Sequence, residues 1–200
     1  MNINDLIYIY KVEEDKVLLK DYQKLLKSSV ENKEKIIEIF TKKFKYDFFE
    51  SSKLLVTNNN LYPTLMILVN SIDVLAKHYS ENIEGEYIAD NYKKFFNDII
   101  FPIFQAEKIS ISEKFQEKLL NKFYYDLRCG ITHSNSTKIE FTIDNRKRFI
   151  KQDKTFLINI NFLIKIIKEA FYKYIILVER DDEVYNKFIN VQKSLYGGEN

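Results

Sequence analysis

A mainly helical fold is what this sequence predicts, and three observations carry that expectation. Only 4 Gly and 2 Pro occur in 200 residues, too few for the many turns of a β architecture. Hydrophobic residues make up 46% of the chain, enough to build a core at this length. Apolar residues also recur at three- and four-residue steps in one segment after another, the period of helices that bury one face. Charges of both signs are mixed along the chain, which argues against a disordered tail. No internal repeat or low-complexity linker divides it, so one domain over residues 1–200 is expected, with residues 1–30 as an N-terminal helical extension.

The elements follow in order. The apolar stretch Leu6 to Tyr10 is too short to assign by period and is open between a strand, a helix start and an ordered arm. From Asp15 to Lys27, Val17, Leu18, Tyr22, Leu25 and Leu26 predict a short amphipathic helix. Ile36, Ile37, Phe40, Phe44, Phe48 and Leu55 form one stripe over residues 32–56, which the Asn58 to Asn60 run should stop. Pro63 suits the first turn of the next helix, which is apolar on nearly every side. Asn70, Asp73 and His78 stand out on it, because a buried polar group needs a partner. A further helix over residues 86–100 is expected to end at Pro102.

Ser110 or Ser112 should cap the helix that carries Phe115, Leu119, Leu120, Phe123, Tyr124 and Leu127. Gly130 offers it a left-handed or otherwise tight exit. The period then changes: Ile139, Phe141 and Ile143 alternate with polar residues, Asp144 and Asn145 suit a turn, and Phe149 and Ile150 follow. This predicts a small β-hairpin after the preceding helix. A long helix from about Asn161 and a last one near residues 184–195 close the chain.

Several function classes are excluded or demoted by composition. With 31 basic and 29 acidic residues, the chain lacks the positive excess of a protein that coats nucleic acid through phosphate contacts alone. The longest uncharged stretch holds Asn58 to Asn60 and Pro63, which a bilayer core would penalise, so no membrane span is expected. A single Cys cannot form an intramolecular disulfide, and no signal-peptide pattern opens the chain, so a cytoplasmic protein is expected. Two His, one Cys and scattered carboxylates match no ligand spacing, so neither a metal site nor another cofactor is expected. Glycine-rich phosphate loops and Ser-His-Asp signatures are missing too.

The scarce residues of the chain gather at one place. Arg128, Cys129, Gly130 and His133 fall within six consecutive positions, in a chain where 4 of the 31 basic residues are Arg. An arginine here suggests a need for its rigid donor fork; the simpler alternative is a cation capping a helix end. On an unbroken helix Arg128 and His133 would lie about 140° apart, so they require a helix break or a second subunit. Histidine can exchange a proton with a ribose hydroxyl while arginine holds phosphate oxygens, the requirements of RNA cleavage without a metal.

The spacing Arg-x4-His, read as Arg128-Cys129-Gly130-Ile131-Thr132-His133 after Tyr124-Tyr125-Asp126-Leu127, resembles the signature of HEPN (higher eukaryotes and prokaryotes nucleotide-binding) domains. The resemblance covers about residues 61–174 and includes the apolar helix with Asn70-Ser71-Ile72-Asp73. It implies a HEPN-like all-α bundle, here with the small β-hairpin insertion after the motif helix. It also implies a metal-independent endoribonuclease acting on single-stranded RNA, with paired motifs in a homodimer, and a role in prokaryotic defence or as a toxin with a partner or antitoxin protein. By the same resemblance His133 is the acid/base residue and Arg128 the partner of the phosphate or the 2′-hydroxyl.

Cys129 stands where many such nucleases carry a polar residue, often Asn, and Asn135 stands where members paired with a nucleotidyltransferase antitoxin carry Tyr. Tyrosine adenylylation is therefore not expected. Ser134 or Asn135 could donate a hydrogen bond to substrate or serve the loop. Tyr124 or Tyr125 could stack on an unpaired base, and Lys93, Lys94, Arg146, Lys147 and Arg148 could meet phosphates. Asp73 has two readings of equal weight, as a carboxylate orienting Arg128 from a neighbouring helix or as a salt-bridge partner of Lys77 or another lysine. The rival to catalysis is a HEPN-like module that binds a nucleotide, RNA or protein without cutting.

Overall fold

The computed structural model of the chain describes residues 7–12, 14–81, 88–109, 112–130, 140–142 and 157–197. It opens with strands β1 (Tyr8–Val12) and β2 (Asp15–Leu18), paired antiparallel with Val12 opposite Asp15. Helix α1 (Leu19–Lys27) follows directly. The expected helix from Asp15 thus begins four residues later, at Leu19. Tyr8, Ile9, Tyr10 and Val12 are strand-favouring side chains that give residues 15–18 an edge to pair with. The bond from the Leu19 N–H to the Ile7 carbonyl, 2.8 Å long, ties the hairpin to the helix start.

Helix α2 runs unbroken through Lys33–Phe44, the π-helical turns Lys45–Glu50 and Ser51–Thr57. It stops at the expected asparagines, where Asn59 takes φ 56°, a left-handed conformation that asparagine tolerates. Helix α3 (Leu61–Ser80) carries Pro63 in its first turn. Helix α4 joins Ile88–Phe95, π-helical Phe96–Ile100 and Phe101–Ala106. Pro102 does not end this helix. The widened turns just before it place the Phe101 N–H on the Phe96 carbonyl, so the register shifts and the missing proline N–H is absorbed.

Helix α5 consists of Glu113–Asn121 and π-helical Lys122–Cys129. Ser112 is its N-cap, its Oγ accepting from the Phe115 N–H at 3.3 Å. Gly130 keeps right-handed helical angles, φ −60° and ψ −47°. The expected loosening near Arg128 to Gly130 takes the form of a π-helical widening over Lys122–Cys129, with no left-handed residue at Gly130. Strand β3 (Glu140–Thr142) pairs with β4 (Leu157–Asn159), and the pair is parallel. The small antiparallel hairpin of the fold lies at residues 8–18, while the expected return strand with Phe149 and Ile150 lies outside the described residues. Helices α6 (Ile160–Arg180) and α7 (Asp182–Tyr196) close the bundle, capped by Asn159 and Asp181.

Helix α3 occupies the middle of this mainly helical protein. Its Leu65, Leu68, Val69, Ile72, Leu75 and Ala76 are all buried, matching the apolar surround read from the sequence. Around it, Phe44 of α2 stacks on Phe171 of α6 with centroids 4.4 Å apart. Phe96 of α4 meets Phe123 of α5 at 5.4 Å. Among the described residues no helix is long and apolar enough to cross a membrane.

Candidate functional site

Arg128 projects from the widened end of α5, where the buried neighbour Leu127 and, one turn back, Phe123 hold the helix against the core. Asp73 sits on α3 beside the buried Ile72. Packing of the two helices brings them together: the Arg128 Nε–H donates to Asp73 Oδ2 at 3.3 Å, with 14% and 17% of the two side chains exposed. Of the partners the sequence allowed for Asp73, the ion pair is with Arg128, and Lys77 acts on it through its field.

Two tyrosines complete the cluster. The Arg128 guanidinium lies over the Tyr124 ring, 5.8 Å from its centroid, a cation–π contact one helical turn back on α5. Tyr92 of α4 meets the same ring edge-on at 5.6 Å. Tyr92 is 0% exposed, and its hydroxyl and Asp73 Oδ1 are both buried without a hydrogen-bond partner. Uncompensated polar atoms of this kind cost about 1–3 kcal/mol each. Two beside one arginine suggest that the site is built for more than packing.

Charge and burial oppose one another here. Burial pushes the Asp73 carboxyl above its ordinary value, and the nearby Arg128 pulls it back only in part. Burial also disfavours the guanidinium charge, but Asp73, Cys129 and Tyr124 more than offset this, so Arg128 stays a cation. Burial first, and then the Asp73 charge, raise the Tyr92 phenol well above its usual range. The result is a fixed cation in a poorly solvated corner, where hydrogen bonds to an anion gain strength.

The other expected site residues divide into three groups. Cys129 is half-buried at the end of α5. Tyr124 is engaged with Arg128 and Tyr92, whereas Tyr125 is 60% exposed and is the tyrosine of this pair open to a stacking partner. Lys93 and Lys94 are exposed on α4, Lys94 lying 5.6 Å from the centre of the Tyr79 ring. His133, Ser134 and Asn135, and also Arg146, Lys147 and Arg148, lie outside the described residues. Among the described residues no three His, Cys, Asp or Glu side chains gather as a metal cage. Tyr92 is the member of the cluster that sequence reading missed: it is one of 14 tyrosines, and its neighbours come from two other helices.

Comparison with protein-family models, curated proteins and solved structures finds no match to this chain.

Proposed function

We propose that this protein is a metal-independent endoribonuclease of HEPN type that cuts single-stranded RNA at a cleft shared by two copies of the chain. The observation that carries the reading is the Arg128–Asp73 pair. A carboxylate on α3 holds the donor fork of an arginine whose sequence spacing to His133 is that of the Arg-x4-His signature. In this reading His133 takes the proton of a ribose 2′-hydroxyl, and the 2′-oxygen attacks the adjacent phosphorus. Arg128 stabilises the negative charge that develops on the phosphate oxygens. The bond from phosphorus to the 5′-oxygen breaks and the departing oxygen takes up a proton. The products are a 2′,3′-cyclic phosphate and a free 5′-hydroxyl. The reaction would run in the cytoplasm, in a defence or toxin role restrained by a partner protein.

The test is cleavage of single-stranded RNA by purified protein in excess chelator, with product ends identified by mass spectrometry. Cyclic phosphate ends are expected, and Arg128→Ala and His133→Ala should each abolish cleavage while circular dichroism reports a folded helical protein. Loss of cleavage in chelator, or 5′-phosphate ends, overturns the reading.

A further inference from the structure

A second feature involves the C-terminal half of α3. Helices α1, α2, α3 and α7 enclose a cavity of about 340 Å³, near the lower end of the range for small-molecule pockets, about 300 Å³. Its walls are apolar and include Ile39, Phe40, Phe44, Phe48 and Val191. Its lining also carries a chain of three hydrogen bonds. Tyr22 OH donates to Gln192 Oε1 at 2.7 Å, Gln192 Nε2 donates to His78 Nε2 at 2.6 Å, and His78 Nδ1 donates to the Val74 carbonyl at 2.7 Å. Because these groups hydrogen-bond to one another, they ask nothing polar of an occupant.

The charged side chains in its lining are Lys43, Asp47 and Lys77. Lys43 is paired with Asp47 at 2.6 Å, whereas Lys77 lines the same cavity and makes no ion pair among the described residues. The lining therefore holds one cation in excess in a chamber that favours hydrocarbon. An occupant that suits both has an apolar body and a single anionic head.

We propose that this cavity is a binding site for a small amphiphilic carboxylate, its hydrocarbon body between Phe40, Phe44 and Val191 and its carboxylate at Lys77. The assignment is independent of the RNA-cleavage reading, since it uses neither Arg128 nor His133. A free medium-chain acid and an aryl-alkanoic acid share this chemistry, and probes of both kinds separate them.

The test is isothermal titration calorimetry of the full chain with decanoate and with 4-phenylbutyrate, each below its aggregation range. Saturable single-site binding with Kd at or below about 1 mM is expected for the acid that fits. Octylamine, with a similar tail and the opposite charge, should bind about tenfold more weakly or not at all. Lys77→Gln should weaken carboxylate binding about threefold to tenfold. Val74→Phe should fill the chamber and abolish binding while circular dichroism reports an intact helical fold. Should that variant fail to fold, Lys77→Gln alone decides the matter. The site is overturned by the absence of saturable binding for both acids, by equal affinity for octylamine, or by a folded variant of either kind that binds like the wild type.

Discussion

Arg128 and Asp73 are 55 positions apart in the chain, and Nε of one lies 3.3 Å from Oδ2 of the other. The contact joins the end of α5 to the middle of α3, so the guanidinium is held by a largely apolar core helix rather than by its own. A surface arginine samples many rotamers, whereas this one is restrained by a carboxylate at one edge and the Tyr124 ring on one face. Restraint of this kind matters for catalysis because misplacement of a charge-stabilising group weakens it where charge develops.

Asp73→Asn keeps the shape of the carboxylate and removes its charge. It should slow RNA cleavage by about 10–100-fold, by analogy with outer-shell partners that orient metal ligands, while the melting temperature changes little. Arg128→Lys should not restore activity in either background, since lysine lacks the planar fork. Single-turnover rates are the measurement. Wild-type rates in Asp73→Asn would show that the pair has only a structural role.

A shared cleft makes a second prediction. Homodimers of His133→Ala and of Arg128→Ala should both be inactive. A mixed dimer of the two should recover part of the activity if one site draws Arg128 from one copy and His133 from the other. Tagged co-purification followed by cleavage assays reads this directly. A verified monomer with full activity would remove the composite site.

Some of this was legible in the sequence for a clear reason. Asp73 stood out because Ile72, Leu75 and Ala76 around it are apolar, and a carboxylate on a helix with so little polar surface needs a cation nearby. The strand at residues 140–142 was announced by its alternation, but a period of two names a strand and not its partner. The partner β4 pairs in parallel across an intervening segment, which no local pattern encodes. The helix start at Leu19 was missed because Val17 and Leu18 fit a helical stripe as well as a strand edge. The π-helical turns were not readable either: a change from four- to five-residue hydrogen bonding leaves the apolar spacing nearly unaltered over one turn. At Pro102 that small change decided whether the helix stopped or continued.

The joint between α2 and α6 provides a stability prediction. Phe171 is fully buried and stacks on Phe44 with an interplanar angle of 8°, while Phe49 meets it edge-on at 5.5 Å. Phe171→Ala leaves a cavity lined by rings that cannot all collapse into it, and should cost about 3–5 kcal/mol. Urea unfolding would report this as a lower midpoint with an unchanged slope. A loss under about 1 kcal/mol would mean that the rings repack.

The buried histidine gives the fold a specific sensitivity to acid. His78 is 3% exposed; its Nδ1–H donates to the Val74 carbonyl and its Nε2 accepts from Gln192, so both nitrogens are committed to the neutral ring. Burial depresses its pKa from the ordinary 6.5 to about 4, with the Lys77 charge adding to the effect and the Val74 carbonyl opposing it. The unfolded chain therefore binds a proton at a higher pH than the native protein does. Stability from the neutral ring is fully present above about pH 6.5 and is lost progressively as pH falls toward 4, by roughly 2–3 kcal/mol at the lower limit. Protonation would also turn Nε2 into a donor facing the Gln192 donor, breaking the chain to Tyr22. In urea titrations between pH 7.5 and 4.5 the wild type should lose stability more steeply than His78→Gln, whose side chain does not titrate. Other groups contribute equally to both proteins, so the difference between the two curves isolates His78. Parallel curves would show that its protonation is not linked to folding.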